Sequence, residues 1–242
     1  MKAYIIKIEL LDSDPLIWRR VIMPADATFK RLHDVIQTVT NFQSGYPYGG
    51  YHLYRFEVPE ANLYVTDDEE AYSDHQLYKK NKKKYDEQLR LAPPKSVERY
   101  YLELMMKEVR YPSRIKIDKY LEGGNTILYF YDFGDGWEFI VTLEKIVNDY
   151  HFGFPTLLDG AETAPPEDAG GLGGFYEFLE IYSDESHPEH EETKIWAESQ
   201  NFREYDPKWI NDRLKNVKYK FTEWQEIEHD NYRIIEDKYR KE

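Results

Sequence analysis

An α+β fold is predicted for this 242-residue chain, with a mainly antiparallel sheet built from hairpins, packed helices and a helical C-terminal region. Three observations predict it. Apolar and polar side chains alternate with period two in short paired runs, an amphipathic stretch of helical period follows the first pair, and helical spacing returns after residue 170.

The elements follow in order. In "AYIIKIELL" the residues Tyr4, Ile6, Ile8 and Leu10 share one side while Lys7 and Glu9 share the other, the pattern of a half-buried strand. After the turn "DSDP", the run "LIWRRVIMP" alternates Ile17, Arg19 and Val21 with Trp18, Arg20 and Ile22, so it pairs with the first strand as a hairpin. Thr28 then caps a helix on which Phe29, Leu32, Val35, Ile36 and Val39 recur on one face. A loop, "GYPYGGY", leads to "YHLYRFEV" and "NLYV", aromatic and β-branched segments that read as a further strand pair. Residues 67–110 change character, with "DDEE", "KKNKKK", the break "APPKS" and the helical "VERYYLELMMKEV", and read as a charged, partly helical insertion. Two long alternating runs flank "YDFGDGW" at 131–137: Ile127, Tyr129 and Tyr131 before it, and Trp137, Phe139, Val141 and Leu143 after it. Asp-Gly between such runs signals a hairpin, with Gly134 and Gly136 free to take positive φ. The stretch "DGAETAPPEDAGGLGG" reads as a loop before helices at "FYEFLEIY", "HEETKIWAESQ" and "DPKWINDRLKN", the last opened by Asp206 and Pro207. In the tail, Phe221, Trp224 and Ile227 recur at helical spacing, as in a docked extension. The organisation is one α+β domain over 1–242, with the 67–110 insertion and a helical C-terminal region and tail over 184–242, and no internal repeat.

Composition narrows the functional classes. The absence of cysteine removes disulfides, thiolate nucleophiles and Cys-based zinc sites, and makes the cytoplasm the expected location. Lys7 and Glu9 cut the opening apolar run before it reaches signal-peptide length, and no run is long enough to span a bilayer, so no membrane partner is expected. A net charge of −14 repels bulk nucleic acid, so the distribution of charge matters more than its sum. Residues 79–119 hold thirteen Lys and Arg against six Asp and Glu, a solvated basic face or a contact for nucleic acid. Residues 177–206 invert that balance, with ten acids against two bases.

Candidate chemistry gathers in two motifs. Asp132, Asp135 and Glu138 lie in or beside "YDFGDGW", and Glu167 and Asp168 lie in "PPED". If the hairpin tip folds beside that loop, Asp132, Asp135, Glu167 and Asp168 form an oxygen-rich set suited to Mg²⁺ or Mn²⁺; the alternative is that these carboxylates satisfy backbone amides of their own turns. Gly170, Gly171, Gly173 and Gly174 run into a helix start, where backbone amides can cradle an anion or simply begin a helix. His187 and His190 stand at i and i+3 in "HPEH", a metal pair only if Pro188 leaves them on one helical face. His52, read as a strand residue beside aromatics, is a hydrogen-bonded structural histidine or a general base. Arg19 and Arg20 point to opposite faces of their strand, and a buried arginine needs a partner, so one of them is expected to pair with Asp132 or Asp135. That pairing would join Trp18 and its arginines to Trp137 and its turn as structural partners.

Four stretches in this order, "PLIWRR" at 15–20, "HLYRF" at 52–56, "YDFGDGW" at 131–137 and "PPEDAGG" at 165–171, resemble a plasmid-borne family named after the third open reading frame of a root-inducing plasmid. Its members are often labelled TnpR, an insertion-element passenger or a resolvase. The resemblance spans most of residues 1–215 and implies a compact α+β fold with a mainly antiparallel sheet, without an established activity. Serine-recombinase chemistry needs a serine set among arginines and a basic DNA-reading helical domain. Here Ser13 sits in a turn beside only Arg19 and Arg20, and the C-terminal region is acidic, so the resolvase label finds no support in these residues. Relatives carry a cysteine near the Pro-Pro-Glu-Asp motif; with Leu158 and Ala169 in that neighbourhood, cysteine chemistry does not carry over.

Two readings follow. The first is a non-catalytic binding or adaptor module of a mobile-element-associated family, with no catalytic residues and no cofactor; it is favoured by the charge segregation, by 22 tyrosines and by the lack of a nucleophile with its base. Its partner is a protein, or nucleic acid through residues 79–119. The second is a metal-dependent phosphoester hydrolase or nuclease using Asp132, Asp135, Glu167 and Asp168, with Mg²⁺ or Mn²⁺. Convergence of carboxylates from both motifs distinguishes the second from the first.

Overall fold

A computed structural model describes residues 1–45, 51–222 and 239. The opening alternation forms β1 (Ala3–Leu10) and β2 (Trp18–Pro24), paired antiparallel with Ile6 opposite Val21 and Ile8 opposite Arg19. Tyr4, Ile6, Ile8 and Leu10 are buried on the predicted side. Ala3 and Ile5 are buried too, because Ile22, Tyr150, Phe152 and Leu158 cover the opposite face at this end of the sheet.

Thr28 caps α1 (Phe29–Val39), its hydroxyl accepting from the Arg31 N–H. The helix buries Phe29, Leu32, Val35, Ile36 and Val39 against the sheet, each worth roughly 1.5–3 kcal/mol relative to exposure. After it come β3 (Tyr54–Val58) and β4 (Leu63–Thr66). The region read as an insertion contains three helices, α2 (Glu69–Lys80), α3 (Lys82–Leu91) and α4 (Val97–Met106). The chain then returns as β5 (Glu108–Arg110), parallel to β4, the intervening helices supplying the crossover that a parallel pair needs.

A short helix α5 (Asp118–Leu121) leads to β6 (Ile127–Tyr131) and β7 (Trp137–Val147), which flank "YDFGDGW" as an antiparallel hairpin. β8 (Thr156–Ala161) follows and pairs with β2, so the stretch expected as loop from Asp159 onward begins as strand. Leu157 and Leu158 lie on opposite faces of β8, in different clusters, and burial on both sides hides the alternation that would have marked it. Helices α6 (Gly171–Ser183), α7 (His190–Ser199) and α8 (Pro207–Leu214) complete the described elements. Strand order is β5-β4-β3-β6-β7-β1-β2-β8, antiparallel except at β4–β5. The fold is therefore α+β on a mostly antiparallel sheet. Among the described residues no helix is long and apolar enough to cross a membrane. Of the tail, Trp224 and Ile227 lie outside the described residues, and Phe221 is exposed.

Arg19 is the main departure from expectation within the core. At 2% exposure it has no carboxylate partner among the described residues and is held by main-chain oxygens instead. Nε donates to Val39 O (2.9 Å), Nη1 to Trp18 O (2.8 Å) and Ala161 O (2.7 Å), and Nη2 to Glu162 O (2.8 Å). Its guanidinium also lies 4.3 Å from the Tyr205 ring centroid. Burial lowers its pKa to about 10, against the opposing fields of Tyr205 and Glu162. Arg20 faces the other way and pairs with Glu144 (2.5 and 2.9 Å) and, at 3.7 Å, with Asp159. The expected pairing of either arginine with Asp132 or Asp135 is not formed, because carbonyls at the ends of α1 and β8 reach the Arg19 fork first. Trp18 packs under Arg20 and Lys7, while Trp137 is buried 5.7 Å from Phe42.

Replacing Arg19 by Met fills a similar volume but leaves these carbonyls without their donor. The expected loss is at least about 3 kcal/mol in urea unfolding. Arg19→Lys should recover less than half of it, since an ammonium cannot reproduce the fork. A wild-type unfolding midpoint for Arg19→Met would contradict this role.

Candidate functional site

The β6–β7 turn is built on Asp132. This residue takes a left-handed backbone (φ +50°), its Oδ1 accepts the Gly134 N–H at 3.0 Å, and its carbonyl accepts the Gly136 N–H at 2.6 Å. Gly136 has the expected positive φ of +72°; the other left-handed position is Asp132 rather than Gly134. Aspartate tolerates that conformation better than most side chains because its short polar group bonds locally. The Asp132 N–H donates to Leu53 O (3.1 Å), which draws the segment before β3 alongside the turn. His52 lies in that segment, outside the strand in which it was expected.

The second motif meets the same turn. Gly170 (φ +78°) and Gly171 (φ +72°) are both left-handed, and the Gly170 N–H donates to Asp135 Oδ2 at 3.0 Å. A side chain at Gly171 would stand 2.9 Å from the Asp135 carbonyl, and one at Gly174 would stand 2.0 Å from Ala169 O. The glycine run thus lets the start of α6 press against the hairpin tip. One amide of the run read as able to cradle an anion, that of Gly170, is taken up by the chain's own Asp135.

With the two motifs locked together, Asp132, Glu167 and Asp168 surround His52. Nδ1 lies 3.6 Å from Asp132 Oδ1, and Nε2 lies 3.4 Å from Asp168 Oδ1 and 3.8 Å from Glu167 Oε2. One ligand atom each from His52, Asp132 and Asp168 falls within 4.8 Å of the others. Asp132 is buried, His52 half-buried and Asp168 exposed, so the group opens to solvent on one side. Asp168 is itself left-handed (φ +54°), so two of the three donors sit on constrained backbone. Asp135 and the exposed Glu138 do not join this group.

Glu167 is fully buried. Its Oε1 accepts the Gln43 N–H at 2.5 Å and lies 2.7 Å from the Tyr131 hydroxyl. Its Oε2 and the Nε2 of His52 make no hydrogen bond among the described residues. Burial raises the Glu167 pKa against those two hydrogen bonds and the His52 field, and the Asp168 charge raises it further. Two buried polar atoms left open toward one another are costly in a native fold unless something bonds to both.

A closed hydrogen-bond ring supports the site from beneath. His33 stacks on Tyr54 with ring centroids 3.7 Å apart. Its Nε2 lies 3.1 Å from Ser44 O and its Nδ1 2.8 Å from the Tyr129 hydroxyl. A carbonyl only accepts, so Nε2 carries the proton and Nδ1 receives that of Tyr129. Gln37 Nε2 donates to Tyr129 (3.0 Å), and the Ser44 N–H returns to Gln37 Oε1 (2.7 Å). Ser44 Oγ then accepts the His52 N–H (2.9 Å) and lies 2.9 Å from the Tyr131 hydroxyl. None of these ring residues was singled out in the sequence. His33 and Gln37 are polar residues on a helix whose neighbours are apolar, a pattern that marks a buried polar contact without naming its partner.

The other candidates separate. His190 is buried with Nδ1 3.1 Å from Ile181 O, and His187 Nδ1 accepts the Glu189 N–H, so the two rings serve local structure. Among the described residues they belong to no group of three metal-ligating side chains. In the basic region, Lys107 pairs with Glu57 and Lys116 with Asp26. Lys79, Lys80, Lys82, Lys83 and Lys84 at the α2–α3 junction have no carboxylate within ion-pair reach among the described residues.

Comparison with known proteins gives consistent results. Residues 2–213 match the family model described as plasmid pRiA4b ORF-3-like protein. The uncharacterized protein y4hQ of Sinorhizobium fredii is 27% identical over 197 residues, 81% of each chain. The crystal structure of MM3350 from Methanosarcina mazei Go1, a protein of unknown function, is similar at a TM-score of 0.58 and 28% identity. That likeness covers 86% of this chain and 96% of the other.

The His33 ring gives a pH dependence of known sign. Burial, with the Lys30 charge adding, holds His33 well below the ordinary imidazole range. Below about pH 6.5 the unfolded chain therefore binds a proton that the folded chain refuses. Stability is complete above that value and is lost as pH falls, by up to about 1.4 kcal/mol per unit. Urea unfolding at pH 7.5 and 5.5 should show a steeper loss for the wild type than for His33→Gln. Equal slopes would mean that His33 is charged in the folded chain.

Proposed function

The chain belongs to the plasmid pRiA4b ORF-3-like family, and we propose that it is a metal-binding module whose centre is His52, Asp132 and Asp168, with Glu167 beside it. The observation carrying this reading is the meeting of one imidazole and carboxylates from two distant motifs, with His52 Nε2 and Glu167 Oε2 buried and unbonded among the described residues. One nitrogen among oxygens suits Mn²⁺, Fe²⁺ or Zn²⁺ better than Mg²⁺, which keeps to oxygen. An adaptor role needs no more than this: a cation bridging the segment before β3, the hairpin tip and the start of α6 would tie three loops into one surface.

A second reading, metal-dependent hydrolysis of a phosphoester, is favoured by Glu167. A bound cation would acidify a water and polarise a phosphoryl oxygen. In this reading Glu167 takes the released proton at Oε2, and its raised pKa supports a proton acceptor. Asp135, assigned to this chemistry on sequence, is left out of it, since its carboxylate caps the Gly170 amide.

Titration calorimetry with MnCl₂ should give one site in the wild type, weakened at least about tenfold in His52→Ala and Asp168→Asn and unchanged in Asp135→Asn. No heat in the wild type, or wild-type binding by Asp168→Asn, removes the metal reading. Glu167→Gln separates the two functions. In the hydrolase reading it keeps Mn²⁺ binding and loses at least about a hundredfold of any Mn²⁺-dependent turnover of bis(p-nitrophenyl) phosphate. In the adaptor reading no protein variant, wild type included, turns over the ester.

A further inference from the structure

Two surfaces of opposite charge lie outside the candidate metal centre, and neither finds its counterpart within the chain. The first is the junction of α2 and α3. Lys79, Lys80, Lys82, Lys83 and Lys84 are all exposed there, five cations in six positions. No carboxylate lies within ion-pair reach of any of them among the described residues. The acids beside them are engaged elsewhere, Asp86 with the Tyr78 hydroxyl (2.9 Å) and Glu87 with Arg90 (3.8 Å).

Local structure does not account for all of these lysines. Lys79 and Lys80 close α2, where the helix dipole favours cations, but Lys82, Lys83 and Lys84 open α3, where it opposes them. Like charges set so close also repel one another. Leu77, 44% exposed, stands one turn before Lys80 and adds an apolar contact to the same end of α2.

The second surface is a groove of about 470 Å³ between α6 and α7. Phe178, Ile181 and Trp196 give it an apolar floor, and Glu177, Glu189 and Glu192 give it an exposed acidic rim. These three carboxylates have no cation within ion-pair reach among the described residues. Lys194, one of two bases in the stretch 177–206, lies on α7 without lining the groove.

The two surfaces sit on different parts of the fold. Helices α2 to α4 precede β5 at one edge of the sheet, whereas α6 begins against the β6–β7 turn. No ion pair joins them within the chain among the described residues. Their charges are nevertheless matched, with thirteen bases against six acids over 79–119 and ten acids against two bases over 177–206. We infer that the α6–α7 groove is a docking site for a second copy of this chain, with the lysines of the α2–α3 junction on its acidic rim and Leu77 toward its apolar floor. An apolar centre within a polar, charged rim is the anatomy of a specific interface. Because each copy contributes a different face, the contact either closes reciprocally between two copies or adds further ones. It does not depend on the metal centre, although Ala169, which also lines the groove, directly follows the Asp168 donor.

The test is sedimentation equilibrium of the full chain, without added metal, in about 50 mM and about 500 mM NaCl. In low salt the mass should rise above that of one chain as concentration increases, and in high salt it should return to that of one chain. Two double variants reverse exposed charges and leave the core untouched: Lys82→Glu with Lys83→Glu, and Glu189→Lys with Glu192→Lys. Each should weaken self-association at least about tenfold, since like charges then face one another. Mixed in equal amounts, the two should associate again, because the intact groove of the first meets the intact lysines of the second. A wild type that stays monomeric in low salt overturns the proposal, as does a mixture that fails to associate. A wild type that stays monomeric yet binds a single-stranded oligonucleotide overturns it too, and assigns the lysines to nucleic acid.

Discussion

The buried Arg19 guanidinium is the fixed point on which the arrangement of the site depends. It ties the last turn of α1, through Val39, to the end of β8, through Ala161 and Glu162. Asn41, Gln43 and Ser44 leave the first of these ends, and Glu167 and Asp168 leave the second. A carboxylate partner would have neutralised the charge, yet it would have joined only one group to another. A fork shared among four carbonyls instead ties together three chain segments at once. The desolvation of that charge is the cost of the arrangement, visible in its depressed pKa.

From there the site is organised by backbone geometry as much as by side chains. The hairpin tip and the start of α6 interlock through the Asp135 carboxylate on the Gly170 amide and the bare Gly171 against the Asp135 carbonyl. The consequence is a division of labour inside one seven-residue motif: Asp135 fixes the position of the loop, and Asp132 faces what the loop brings. Four aspartate and glutamate residues with equal standing in the sequence thereby come to stand in different surroundings: Asp135 on an amide, Glu167 buried against Tyr131 and Gln43, and Asp132 and Asp168 beside His52.

Those differences mark the limit of what the sequence discloses. The sheet was legible because β1, β6 and β7 each bury one face and leave the other half-buried or exposed for part of their length, and that asymmetry is written in period-two alternation. β8 escaped because Leu157 and Leu158 are both buried, one in each cluster. The carboxylates of the candidate site were legible as residue types in distinctive motifs, and their meeting was a stated condition. His52 was visible but its role was not, since the Asp132 N–H to Leu53 O bond that carries it to the turn is a main-chain contact with no side-chain signature. The same limit explains Arg19: rules of charge pairing look for a carboxylate, and carbonyl oxygens are present at every residue of any sequence.

The left-handed backbone at Asp132 and Asp168 constrains how such a site can change over generations. Positive φ is adopted most readily by glycine, asparagine and aspartate, so glutamate, the chemically nearest substitute, is disfavoured at both positions, although Glu162 at φ +66° shows that the conformation does not bar it. The tolerated replacements are those that keep the turn while discarding the charge. A lineage can therefore lose the carboxylate chemistry through asparagine or glycine and still fold, and can regain it by reversing the same step. The motif can persist as a folding signature independently of any chemistry its carboxylates perform.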